Sequence, residues 1–132
     1  MELEQLTQIA ELEAAATDRQ ITEAQNEVGI KFPEEHRTLL QYSNGLFIND
    51  LIKIYSTEEI AERNRTFEVE QYLPGFIMIG DDSGGSGIFL NTKDVPSLVY
   101  KIGHGSLAVS DAIILAQSLT DWIDQGCTVP DE

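Results

Sequence analysis

The chain has a single cysteine, Cys127. That excludes an intrachain disulfide and makes the reducing cytosol its natural compartment. Positive charge is also scarce. Eight Lys and Arg stand against 23 Asp and Glu, a net charge of −15, with a pI near 4.2. Such a balance excludes docking on nucleic acid or an anionic membrane through a basic face. It leaves a cationic partner, or solubility alone, as the use of the charge. Long hydrophobic runs are missing too. The longest purely apolar stretch is Ala112 to Ala116, far short of a membrane span. The first 16 residues are acidic and amphipathic. They have neither the basic segment nor the cleavage site of a signal peptide. A structural zinc site takes four nitrogen or sulfur ligands. His36, His104 and Cys127 do not supply them alone, so no metal and no cofactor is expected.

What is present suits one domain over residues 1–132, long enough to bury a core without staples. Its organising stretch is Phe76 to Leu90, FIMIGDDSGGSGIFL. Two short apolar runs flank Asp81, Asp82, Ser83, Gly84, Gly85 and Ser86. They read as two strands joined by a tight loop, with Gly84 or Gly85 at positive φ. Neither run alternates with polar residues, so both belong in the middle of a sheet.

The rest of the chain supplies cover and neighbouring strands. Leu3, Leu6, Ile9, Ala10 and Leu12 fall near one face at helical spacing, which predicts a helix over residues 2–16. Thr17 with Gln20 forms a capping box for a second helix, which ends at Val28 before Gly29. Pro33 starts a third, with Glu34 and Glu35 in the first turn, and Asn44-Gly45 ends it. Leu46–Ile48 and Leu51–Tyr55 read as a hairpin with a two-residue turn, Asn49-Asp50. Ser56 and Glu59 cap a polar helix that runs to about Thr66. A strand follows over Leu98–Ile102. Ser110 to Gln125 reads either as one long helix or as a buried strand, Ala112–Ala116, before a short helix capped by Ser118 with Asp121 at N3. The unbroken apolar character of Ala112–Ala116 favours strand then helix.

The order of these signals resembles the SUKH superfamily. Val28-Gly29-Ile30, Phe32-Pro33-Glu34-Glu35-His36 and Asn44-Gly45 resemble its opening block. Ile79-Gly80-Asp81-Asp82-Ser83-Gly84-Gly85 resembles its "IGDDxGG" strand and loop, and Ala116 to Ile123 its closing "A-x-SF-x-x-W-L" helix. His36 stands where Tyr is usual, Leu119 where Phe is usual and Phe32 where Leu is usual. The resemblance implies an α+β fold: N-terminal helices packed on a mainly antiparallel sheet of about six strands, with a short C-terminal helix. It also implies a non-enzymatic, cytoplasmic protein-binding module. Many members are immunity proteins that bind and neutralise toxins, often nucleases. Another branch includes the fungal cell-wall assembly regulator, a regulatory or scaffold protein.

Asp81-Asp82-Ser83 lacks the spaced ligands of a calcium loop and the lysine of a phosphate loop. Gly84-Gly85-Ser86-Gly87-Ile88 lacks the final glycine of a nucleophile elbow, so no catalytic residue is assigned. Trp122 is expected to anchor the last helix in the core. His36 is expected to be packed or half-exposed. Glu58, Glu59 and Glu62 open an acidic run that continues at Glu68 and Glu70. The run is either a solvated helix face or part of a surface that meets a basic toxin domain. Asp81, Asp82, Ser83, Glu58, Glu59 and Glu62 are therefore the expected partner-binding residues.

Overall fold

The computed structural model describes residues 2–130. Its strands are β1 (Ala10–Leu12), β2 (Leu46–Ile48), β3 (Ile52–Ile54), β4 (Phe76–Asp81), β5 (Ser86–Asn91), β6 (Val99–Gly103) and β7 (Ile113–Ala116). They form one sheet in sequence order, each antiparallel to the next. The helices are α1 (Asp18–Val28), α2 (Glu34–Tyr42), α3 (Ile60–Thr66), α4 (Val69–Tyr72) and α5 (Leu119–Asp124). This is the expected α+β class, with its short C-terminal helix.

The organising stretch behaves as its pattern predicts. In β4 and β5, four consecutive residues are buried in each strand. Successive side chains point to opposite faces, so both faces of the sheet centre are covered. The Thr17–Gln20 capping box forms, and Gly29 closes α1 at φ 83°. Ser118 accepts the Asp121 N–H and starts α5. Trp122 is buried, and its Nε1–H donates to the Thr128 carbonyl at 3.0 Å. The C-terminal segment is strand then helix, but the strand, at the sheet edge, is not the buried one expected: only Ala116 is buried and Ile114 is exposed.

The N-terminus corrects the sequence reading. Residues 2–16 do not form one helix. Leu3–Gln8 is a 3-10 turn and Ala10–Leu12 is β1. The apolar spacing serves both. The 3-10 turn buries Leu6, and period two sets Ala10 and Leu12 on one face of a strand. Pairing with β2 outweighs helix propensity, which is a weak preference. This segment is the extra strand that makes seven rather than about six.

Two smaller corrections concern turns. The hairpin loop has three residues, because Ile48 pairs with Ile52 and Leu51 falls outside the register. Asn49 and Asp50 do take positive φ, 53° and 54°. At the start of α3 only half of the capping box forms. The Ser56 N–H donates to Glu59, but the Ser56 hydroxyl accepts from Glu58 and the helix begins at Ile60.

The helix between β3 and β4 is tied to the sheet by a polar side chain. β3 pairs with β4 at Lys53–Asp81 and Ile54–Gly80, and the Tyr55 N–H adds the Ile79 carbonyl at 2.8 Å. The chain then leaves for α3, so Met78 has no strand on that side. Asn64 of α3 takes its place. The Met78 N–H donates to Asn64 Oδ1 at 2.9 Å, and Asn64 Nδ2 donates to the Met78 carbonyl at 2.9 Å and to the Ile60 carbonyl at 2.9 Å. Pairing with β5 is irregular between Met78 and Gly80. Gly80 cannot carry a side chain, because a Cβ there would lie 2.2 Å from the Lys53 carbonyl oxygen.

His36 is wholly buried rather than half-exposed. Its ring packs on Phe32 with centroids 4.8 Å apart, and neither ring nitrogen has a hydrogen-bond partner among the described residues. Burial alone pushes its pKa from 6.5 down to about 3.

Two outcomes follow from these buried groups. Asn64→Leu strands both peptide groups of Met78, and should lower the free energy of unfolding by about 2–4 kcal/mol in a denaturant titration. An unchanged midpoint would show that Met78 finds other partners. His36 gives a pH signature. The unfolded chain takes up its proton below about pH 6.5, the folded chain only near pH 3. The stability contribution is thus complete above pH 6.5. It is lost as pH falls toward 3, by up to about 1.4 kcal/mol per pH unit. His36→Phe should remove that loss, so its melting curves at pH 6.5 and 4.5 should lie closer together than the wild type's. Equal separations would exclude the neutral buried imidazole.

Candidate partner-binding surface

The loop after β4 leaves its carboxylates little freedom. Tyr55, buried at the end of β3, donates its hydroxyl to Asp81 Oδ2 at 2.6 Å. Burial and the Asp81 carboxylate together push the Tyr55 ionisation far up, so the phenol stays a donor. Asp81 Oδ1 accepts the Ser83 N–H at 2.9 Å. Asp82 Oδ1 accepts the Gly84 N–H at 2.9 Å and the Ser86 N–H at 3.1 Å. The Ser83 hydroxyl donates to the Leu51 carbonyl at 2.6 Å and fastens the loop to the β2–β3 hairpin. The residue at positive φ is Ser83, at 60°, and neither Gly84 nor Gly85 is. The expectation for these glycines is corrected. A side-chain carboxylate at the position before it holds the turn, and a Cβ at Gly85 would meet open space.

His104 closes the other side of the loop. Its N–H donates to the Gly85 carbonyl at 2.7 Å, and its ring stacks on Phe67 with centroids 4.1 Å apart. Burial lowers its pKa against the pull of Asp81 and Asp82. Arg63 lies over the Phe67 ring at 5.7 Å and pairs with Glu62 at 2.7 Å. Glu62 is thus partly neutralised by its neighbour.

Glu58 and Glu59 follow β3 at the end away from the β2–β3 turn. With Glu11 and Glu13 they line an open cleft of about 360 Å³ beside Asn44–Phe47. One cation, Lys53, shares it and pairs with Glu59 at 3.1 Å. Burial disfavours the Glu59 carboxylate, but the Ser56 N–H and the Lys53 ammonium outweigh it and hold its pKa below the ordinary value. Lys53 is also the register partner of Asp81, so the loop and this cleft meet across β3.

The six expected residues are therefore divided. Asp81, Asp82 and Ser83 build a turn, Glu62 pairs with Arg63, and Glu58 and Glu59 border a cleft. Glu68 and Glu70 line a different, larger cleft of about 750 Å³. Glu11 and Glu13 were missed because the segment read as a helix. Only the pairing of β1 with β2, with the Glu13 N–H donating to the Ser43 hydroxyl at 2.8 Å, brings them to Glu58. Among the described residues no group of three or more His, Cys, Asp or Glu is placed to hold a metal ion. The Cys127 thiol is buried and its pKa is pushed up to about 12, so it stays protonated at neutral pH. No described helix is long and apolar enough to cross a membrane.

An α+β domain on an antiparallel meander, with open acidic clefts at its borders, is the class that fold and surface define. Comparison with known proteins places it more closely. Residues 15–125 match the model of the SMI1 / KNR4 family (SUKH-1), and the chain belongs to that family. The chain is also similar to a protein of Bacillus subtilis (strain 168) described as "Uncharacterized protein YnaB". The two are 29% identical over 110 residues, which covers 83% of this chain and 74% of the relative.

The bonding of the loop gives a direct outcome. Asp81→Lys with Asp82→Lys removes acceptors from Tyr55, Ser83, Gly84 and Ser86, and should destabilise the fold by about 2–4 kcal/mol. Gly85→Val should cost less than about 1 kcal/mol. Denaturant midpoints of the two variants check both. A double reversal as stable as the wild type would mean that the carboxylates are not holding the turn.

Proposed function

We propose that this protein is a non-enzymatic, cytoplasmic protein-binding module, and that it acts as an immunity protein. It would dock an acidic surface on a basic toxin domain, such as a nuclease, and occlude the toxin's substrate-binding face. Family membership supports the class. The observation that carries the docking surface is the cleft of Glu11, Glu13, Glu58 and Glu59, where four carboxylates face a single lysine. On a chain of net charge −15, this is a place where cationic side chains are attracted and where wrong, acidic partners are repelled. Among the described residues Glu11 and Glu58 make no side-chain ion pair, so their charge is open to a partner.

A second reading is a regulatory or scaffold protein of the cell-wall assembly regulator type. It is favoured by the SMI1 / KNR4 description of the matching family. The two readings part on the partner. A toxin domain encoded beside this gene and captured by the protein supports immunity, whereas capture of a cell-wall or signalling protein supports regulation.

The test begins with capture of partners from lysate of the source cells and identification by mass spectrometry. Association is then measured by stopped flow across a salt series. Glu11→Lys with Glu58→Lys should slow association by about tenfold at low salt, with an unchanged melting temperature. The wild-type rate should fall as salt rises, since exposed charges are screened beyond about 8 Å at physiological ionic strength. A salt-independent rate, equal in wild type and variant, would overturn the electrostatic docking.

A further inference from the structure

The larger cleft lies between the end of α1, the helices α3 and α4, and the start of β4, and encloses about 750 Å³. Val28, Ile30, Ala61, Val69 and Phe76 are its buried or half-buried apolar residues, and the one buried polar side chain of its lining, Asn64, is already bonded to Met78 and Ile60. Its exposed residues include Glu27, Glu68 and Glu70, against one cation, Arg65. The ion pairs of the described residues are Arg19–Glu23, Lys53–Glu59 and Arg63–Glu62, so these three carboxylates are not neutralised by a salt bridge.

An apolar floor under an uncompensated acidic rim has a specific complement. A long cationic side chain lays its methylene stem on apolar surface while its charge stays at the wet edge. A neutral apolar segment would fill the floor and leave the rim carboxylates partly desolvated. An acidic one would be repelled. We propose that this cleft receives a lysine- or arginine-bearing segment of a protein partner, with the stem on Val28, Ile30, Val69 and Phe76 and the cation at Glu27, Glu68 and Glu70. The site is separate from the Glu11–Glu58 cleft. It shares with the proposed function only the expectation of a cationic protein partner, and it gives the protein a second contact surface on a different part of the molecule.

The test uses a defined probe, so its outcome does not depend on identifying the partner. The peptide acetyl-Leu-Arg-Leu-amide is titrated into ¹⁵N-labelled protein at low salt, beside the analogue with citrulline in place of arginine. Amide shifts should cluster at Gly29, Ile30, Val69 and Gly75, and the citrulline peptide should bind more weakly. Glu27→Gln with Glu68→Gln and Glu70→Gln should weaken the arginine peptide by about tenfold. Glu11→Gln with Glu58→Gln should leave its affinity unchanged. Glu68 sits at φ 54°, so the pair Glu27→Gln and Glu70→Gln, both on helices, repeats the test without touching that backbone. Equal affinity for the two peptides would mean an apolar occupant and overturn the proposal. So would shifts confined to the Glu11–Glu58 cleft, or no shifts at millimolar peptide.

Discussion

The arrangement of the molecule depends on how Met78 is satisfied. β4 is the middle strand of seven, yet β3 accompanies it for only part of its length. A buried peptide N–H and carbonyl without partners would cost about 1–3 kcal/mol each. Asn64 repays both with one amide and thereby fixes α3 at a set height on the sheet. Because α1 packs on α3, that anchor also helps to position α1. The walls of the 750 Å³ cleft follow from it, since α1, α3 and α4 all contribute to them.

A second polar link does the same at the far side of the helical layer. Glu35 of α2 accepts the Leu119 N–H at 3.2 Å, and the Thr120 hydroxyl also donates to it. A carboxylate at the start of α5 meets unpaired N–H groups and the positive end of the helix dipole. Polar side chains thus join helices to each other and to the sheet, while the apolar residues fill the space between. Acids used in this way, Asp81, Asp82 and Glu35, are withdrawn from the surface charge that a partner could meet. Seven other acids line the two clefts, Glu11, Glu13, Glu58 and Glu59 at one and Glu27, Glu68 and Glu70 at the other.

That division explains why the acidic run of residues 58–70 does not act as one surface. Ion pairing to Arg63 occupies Glu62, pairing to Lys53 occupies Glu59, and the turn at Glu68 into α4 brings Glu68 and Glu70 to the larger cleft. Charge counts along a chain measure how much attraction is available. They do not measure where it is left over after the fold has used its share.

Local chemistry was enough to define much of this protein. Thr17–Gln20, Gly29, Pro33 and Ser118–Asp121 each satisfy or end a backbone within a few residues, so their helices were legible from the sequence. The unbroken apolar runs of β4 and β5 announced central strands for the same reason, as did the three blocks that resemble the family. Only the tertiary structure decided the rest. Residues 2–16 carry a spacing that fits a helix, and become turn and strand because β2 offers an edge to pair with. Ser83 rather than Gly84 or Gly85 takes positive φ, held by the nearby Asp81 carboxylate and by the Leu51 carbonyl, 32 residues away in the chain. The clefts joining Glu11 to Glu58 and Glu27 to Glu70 unite residues far apart in the chain. Their geometry is set by strand pairing and helix packing, which no local pattern encodes.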